Sequence, residues 1–355
     1  MIWDSIRGHG EHVEWFRRTL RRDRLSHAYV FAGPSGVGKR LFARSLAQCL
    51  FCQRHSNAEL LACGECSGCR QVLAESHPDL HQVRRFDDKS EILIAQLVGP
   101  PENRGREGLC YDLSRLPMAA DRKIAIIDDA TCMNSESANS FLKTLEEPQP
   151  KALIVLIVDN LDALLPTIRS RCQVVRFNPL SSQDIAELLV EQELVAEPLE
   201  AAALAELSGG SLTVAGQLID PALRELRDAL YQQIASGDFQ SSTVSEKLIS
   251  GIEAIGGDSP TQRRNALWLV RFGLEFFRAA ALQLSNQPQG AIIPAVVTFA
   301  ARFESRSPED FEFIMSLFER VAETEQHIES NVSVPRCLEV LCEDLGRKLC
   351  PTRRG

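Results

Sequence analysis

The stretch Gly33-Pro34-Ser35-Gly36-Val37-Gly38-Lys39-Arg40 decides how the rest of the chain is read. Its spacing is that of a phosphate-binding loop, G-x-x-x-x-G-K. Glycines in such a loop let backbone N–H groups wrap a phosphate, and the lysine ammonium neutralises the outer phosphates. Arg40 stands where these loops carry Ser or Thr, whose hydroxyl ligates Mg²⁺. The scaffold of a nucleotide site is present, and one of its metal ligands is not.

The context suits the motif. His27 to Gly33 is an apolar strand entering the loop. Lys39 to Phe51 has helical spacing, with Phe42, Leu46 and Leu50 on one side. Further strands are expected at Asp79 to Val83, Arg122 to Ala130, Ala152 to Asn160 and Gln173 to Phe177. Runs that are apolar throughout suit strands of a parallel sheet buried on both faces. Their alternation with helical patterns implies a doubly wound α/β domain over residues 1–178.

Asn178-Pro179-Leu180-Ser181 breaks this pattern, and Asp184 lies at the capping-box distance from Ser181, which marks a helix start. Only helices are expected from there on. Glu187 to Glu193, Leu199 to Leu207 and Leu212 to Leu218 make a small three-helix domain over 179–220. Longer amphipathic helices, such as Asn265 to Leu284 and Asp310 to Ile328, fill 221–355.

Asp128-Asp129 closes an apolar strand, where a nucleotide site places its acidic pair. The first would hold Mg²⁺, directly or through water. The second position is usually Glu, which orients the attacking water. Asp129 is one methylene shorter, and catalytic geometry tolerates errors of only about 1 Å.

Cys52 and Cys63-Gly64-Glu65-Cys66-Ser67-Gly68-Cys69 give C-x₁₀-C-x₂-C-x₂-C. Four thiolates at this spacing suit a closed tetrahedral Zn²⁺ site, which leaves no position for a substrate and is therefore structural. Gly64 and Gly68 are expected to allow tight turns between the ligands. An iron–sulfur cluster is the less favoured alternative. The other cysteines form no comparable array.

The bulk properties agree with a soluble multidomain protein. At 355 residues there is room for two or three domains. The longest apolar run, Ala152 to Val158, is far below the roughly 18 residues that a membrane span needs. The N-terminal residues lack a signal-peptide core, so a cytoplasmic protein without membrane contact is expected. A formal net charge of −9 argues against DNA being held mainly by this chain's own surface. Eleven cysteines without a secretion signal argue for metal binding or buried thiols over disulfides.

Together the motifs resemble the bacterial replicative clamp loader subunits of the AAA+ class. The matching residues are His27-Ala28-Tyr29, the loop GPSGVGK, the four-Cys insertion, His77-Pro78-Asp79, Asn139-Ser140-Phe141-Leu142-Lys143-Thr144-Leu145-Glu146-Glu147-Pro148 and Ser170-Arg171-Cys172. The likeness covers about Met1 to Gly216 well and the remainder only in character. It implies an AAA+ domain with a zinc insertion, a three-helix lid and an all-α collar that joins a ring-like heteropentamer. It implies as partners γ/τ-type ATPase subunits and a delta subunit, and, through the assembled complex, the sliding clamp and primer–template DNA. It also implies that Arg171 is an arginine finger reaching a neighbour's ATP.

Two branches of the family carry the zinc insertion, the ATP-hydrolysing motor type (γ/τ) and a non-motor type. This chain is similar to the second. The HPD sequence, the lack of a long C-terminal extension, and Thr213 where the motor type has an arginine all favour it. Arg40, Asp129 and Thr213 are three departures from an ATPase site, so no ATP turnover by the chain alone is expected. Whether ATP and Mg²⁺ bind stays open, since the glycines and Lys39 survive. The alternative is an active γ/τ-type ATPase using Lys39 and Asp128. A zinc module that reads nucleic acid is disfavoured, because only Arg54 and Arg70 flank the cluster.

Overall fold

The computed structural model describes residues 2–86, 89, 91–257, 259–285, 293–303 and 307–350. Residues 1 and 351–355, counted in the expected domains, lie outside these. The chain divides into two compact units, 1–185 with 209–213, and 186–208 with 214–355.

The first unit is built on a five-stranded, all-parallel sheet in the order β2-β3-β4-β1-β5. Its strands are β1 (Ala28–Ala32), β2 (Leu80–Val83), β3 (Lys123–Ile127), β4 (Ala152–Val158) and β5 (Gln173–Arg176). Each expected strand is found, one to four residues shorter. β1, β3 and β4 are buried at every position, as strands covered on both faces must be. β5 is an edge strand, and only Val175 of its four residues is fully buried. The expectation of a continuously apolar run therefore fails at this strand.

The helices of this unit are α1 (Gly10–Arg21), α2 (Lys39–Leu50), α3 (Ser67–Leu73), α4 (Ile94–Val98), α5 (Leu109–Ser114), α6 (Ser135–Glu146) and α7 (Pro166–Arg169). The period-2 alternation of β1 sorts them into two layers. Tyr29 and Phe31 face α1 and α2, where Phe16, Phe31, Phe42 and Phe177 meet at ring distances of 5.0–6.0 Å. Ala28, Val30 and Ala32 face the opposite core, with Phe141 and Leu145 of α6. α6 starts at Asn134, whose side chain accepts from the Ser137 N–H.

Past β5 every described element is helical. α8 (Ser182–Glu191), α9 (Pro198–Leu207) and α10 (Leu212–Ile219) stand where three short helices are expected, though α8 starts at Ser182, five residues before Glu187, and ends two before Glu193. Ser181 caps α8: its hydroxyl donates to Asp184 Oδ2 at 2.6 Å and accepts from the Asp184 N–H at 3.0 Å. The second unit holds α11 (Pro221–Ser236), α12 (Ser241–Ile255), α13 (Ser259–Leu284), α14 (Pro294–Ala300), α15 (Pro308–Glu329) and α16 (Val334–Leu349). α13 packs on α15, and α12 on α16. Phe276, Phe277 and Phe299 are buried at its centre, and the Tyr231 hydroxyl donates to the Phe272 carbonyl at 3.0 Å.

His77-Pro78-Asp79 has a structural role. His77 stacks on Phe51 at 3.9 Å, and its Nδ1 accepts from the Asp79 N–H. The Asp79 carboxylate is buried and accepts from the N–H groups of Met118, Ala119 and Ala120 at 2.7, 2.7 and 2.9 Å. Burial, the largest single influence on this group, raises its pKa, but those N–H donors and His77 together hold it below the usual carboxylate value of 3.8. The charged form is thus favoured by folding. Its contribution is complete above the unfolded pKa and is lost as pH falls through the lower folded value. Asp79→Asn is expected to destabilise the first unit by about 2–4 kcal/mol at pH 7. The gap from wild type should narrow below pH 3.8, and urea unfolding at two pH values checks it.

Candidate functional site

Carboxyl ends of parallel strands are where open α/β sheets bind ligands, and the phosphate loop follows β1 there. The loop's carbonyls point outward, and each meets a donor. Lys39 Nζ donates to the Gly33 and Pro34 carbonyls at 2.5 and 2.6 Å. The Ser211 hydroxyl donates to the Ser35 carbonyl at 2.7 Å. The Leu212 N–H reaches the Gly36 carbonyl at 3.1 Å. His9 Nε2 lies 2.7 Å from the Val37 carbonyl. Burial holds His9 below the usual histidine pKa, so its ring is neutral near pH 7, and donation to a carbonyl puts the proton on Nε2. The Gly38 carbonyl accepts from the Phe42 N–H in α2.

Gly36 is required here on two counts. Its φ is +75°, and a Cβ would stand 2.4 Å from the Thr213 nitrogen. The loop is closely applied to the residues that open α10.

The strand order puts β4 between β1 and β3. Asp159, just past β4, therefore stands beside the loop, and Lys39 Nζ donates to its Oδ1 at 2.8 Å. Lys39 is only 5% exposed. Arg40 Nε lies 3.7 Å from Asp128 Oδ2, and Arg85 Nε lies 3.8 Å from Asp129 Oδ2. Asp129 adopts a left-handed φ of +51°, a conformation that Asp tolerates better than most residues. Burial, then the Asp128 charge, push its carboxyl above the usual range. The two aspartates, Lys39 and Arg40 thus come together as the motif spacing implies, with three cations facing three carboxylates.

The cysteine reading converges equally well. The Sγ atoms of Cys52, Cys63, Cys66 and Cys69 all lie within 4.8 Å of one another, and Cys63 and Cys69 are 4.0 Å apart. Four sulfurs about 2.3 Å from a central Zn²⁺ would stand about 3.8 Å apart, so the cluster can hold that ion after small adjustments. All eleven cysteines are free thiols.

Backbone N–H groups point at the sulfurs: Cys66 to Cys63 at 3.4 Å, Cys69 to Cys66 at 3.4 Å and Gln53 to Cys66 at 3.5 Å. These donors favour thiolates. The N–H groups of Cys66 and Glu65 hold the Cys63 thiol below the usual range. For Cys66, burial opposes ionisation, but the Gln53 and Cys69 donors outweigh it and bring the pKa down to about 6. Burial pushes Cys69 up, so the backbone donors favour ionisation at two of the four sulfurs, Cys63 and Cys66.

Gly64 has the expected turn conformation, with φ +76°. Gly68 does not. It lies inside α3, where a Cβ would stand 2.2 Å from the Phe51 carbonyl oxygen, so glycine is needed for close packing and not for a turn. Arg54 is taken up by Glu65 at 2.6 Å. The indole N–H of Trp3 donates to the Leu60 carbonyl at 2.7 Å and ties this module to the N-terminal segment.

Arg171 follows α7 and is half-exposed. Its Nε and Nη2 both donate to Glu146 Oε1, at 2.9 and 2.5 Å, and Nη1 donates to the Thr167 carbonyl at 2.8 Å. None of its partners among the described residues belongs to the phosphate loop. Sequence reasoning names Glu146 only as part of a matching stretch and passes over Asp159, Arg85 and His9. Of these only Asp159 carries a local signal, as the first charged residue after the all-apolar β4.

A family profile described as "DNA polymerase III, delta subunit" matches residues 8–181. A DNA polymerase III subunit delta' of Bacillus subtilis (strain 168) is 38% identical over 176 residues, 50% of this chain and 49% of that protein. One of Pseudomonas aeruginosa is 33% identical over 250 residues, 68% of this chain and 69% of that protein. The tau subunit of Escherichia coli (strain K12) is 32% identical over 236 residues, 65% of this chain and 33% of tau. The match thus spans about half the length of the Bacillus relative and two thirds of the Pseudomonas one. On a phosphate loop with these neighbours and on this similarity, the chain belongs to the DNA polymerase III subunit delta' family.

Proposed function

We propose that this chain is a non-motor subunit of a clamp loader that assembles with γ/τ-type ATPase subunits and a delta subunit to place the sliding clamp on primed DNA. In this reading it does not hydrolyse ATP itself. It supplies Arg171 in trans to the ATP of a neighbouring subunit, where an arginine on the transition-state charge is worth orders of magnitude in rate.

The observation that carries the reading is the pairing of Arg40 with Asp128. The position of the hydroxyl ligand and the acidic residue of the nucleotide site are engaged with each other, while Arg171, whose partners lie outside the chain's own loop, stays half-exposed. Glu146 holds the guanidinium by two N–H donors, which limits its rotamers before a partner arrives. The rotamer entropy of a free arginine is of order 2 kcal/mol, so pre-ordering lowers the cost of engaging a neighbour's phosphate.

The four cysteines hold a structural zinc ion in this proposal. Such an ion would neutralise the thiolates and add folding free energy to a segment with little core of its own.

Three outcomes are expected. The purified chain should show no ATP turnover above background. Turnover that is lost in Lys39→Ala would instead favour the motor-type reading. In a loader reconstituted with γ/τ-type and delta subunits, Arg171→Ala should assemble normally yet lower DNA-stimulated ATPase by at least about tenfold; unchanged ATPase and clamp loading would remove the finger role. Elemental analysis should find close to one zinc per chain, absent in Cys69→Ser, with residues 53–62 becoming protease-sensitive when the metal is stripped.

A further inference from the structure

A phosphate-loop site that works with Mg²⁺ holds the ion through the hydroxyl that follows the lysine and through the acidic residue at the end of the neighbouring strand. The residues of this chain do not fit that ion. Arg40 offers no oxygen, and its Nε stands 3.7 Å from Asp128 Oδ2, so the carboxylate that would face the metal already faces a cation. The other two carboxylates are engaged as well, Asp129 with Arg85 at 3.8 Å and Asp159 with Lys39 at 2.8 Å. A divalent ion entering here would lose one ligand and be repelled by a guanidinium tethered in its place.

The anion side of the pocket is intact. The carbonyls of residues 33 through 38 all have donors, so the loop conformation is satisfied without a ligand. The loop runs directly into α2, and the first N–H groups of a helix have no intrahelical partner. Such N–H groups at the start of a twelve-residue helix, with a buried lysine beside them, favour an anion.

We propose that the Arg40 guanidinium takes the place of Mg²⁺ in this phosphate loop, so that the pocket takes a nucleotide polyphosphate free of divalent metal. A guanidinium carries five N–H donors in a fixed plane. With Nε turned to Asp128, the Nη groups remain for phosphate oxygens, and Arg40 is 43% exposed, which leaves them accessible. One side chain then bridges the acidic residue and the phosphates as a bound metal would, and arginine suits phosphate geometry better than lysine does. Metal-complexed nucleotide is disfavoured, because its cation would be brought against Arg40. The inference rests on reading Gly33 to Arg40 as a phosphate loop and is independent of what Arg171 does.

The test is isothermal titration of the full chain with ATP, once in EDTA and once in excess Mg²⁺. Wild type is expected to bind at least about threefold more tightly in EDTA, because Mg²⁺ withdraws the free nucleotide. Arg40→Ser, which restores the hydroxyl, should reverse the order, and Lys39→Ala should abolish binding in both. Equal or tighter binding of ATP to wild type in Mg²⁺, no binding in EDTA, or an Arg40→Ser variant that keeps the wild-type order would each overturn the proposal. Any of these outcomes leaves the loader assay on Arg171 untouched.

Discussion

Everything at the nucleotide-type site depends on how one short stretch of backbone satisfies its carbonyls. Between β1 and α2 the chain must turn sharply enough for its amides to converge, which drives the carbonyls outward. Unpaired, each would cost about 1–3 kcal/mol where it is buried. Here the donors come from Lys39 itself, from His9 ahead of α1, and from Ser211 and Leu212 where α10 begins. The loop therefore joins three separate parts of the first unit. Thr213, one of the departures from an ATPase site, lies against Gly36 and so belongs to this joint.

The charges around the loop follow the same logic. Nothing requires Asp128, Asp129 and Asp159 to be neutralised by an incoming ion, because Arg40, Arg85 and Lys39 already face them. Half-exposed pairs of this kind contribute only about 0–1 kcal/mol each to stability. Their importance is positional: they occupy directions that a metal and a catalytic water would need. The inactive character proposed for the site is thus a property of what fills it as much as of what is missing.

The cysteine module shows a different solution to a similar problem. Its sulfurs are gathered by N–H donors and by the close approach of Gly68 to the Phe51 carbonyl, so the ligand set is assembled by the backbone at the end of α2. Asp79 does comparable work nearby, converting three loop amides into a fixed turn with one buried carboxylate. Both devices use a few strong polar contacts where apolar packing is scarce.

The elements, and the chemistry that depends on local spacing, are legible in the sequence. The loop glycines and Lys39, the strand alternation and the C-x₂-C steps are short-range patterns, and short-range geometry sets them. The capping pair Ser181–Asp184 is legible for the same reason. The order of the strands is not, because no local rule says which parallel strand lies beside which. That order brings Asp159 to Lys39 across 120 residues, and the packing of residues 209–213 within the first unit brings Ser211 to Ser35 across 176. It was the tertiary structure that gave Arg40 its partner in Asp128 and Arg171 its partner in Glu146. The physical reason is that a long charged side chain chooses its contact only when distant segments are packed around it.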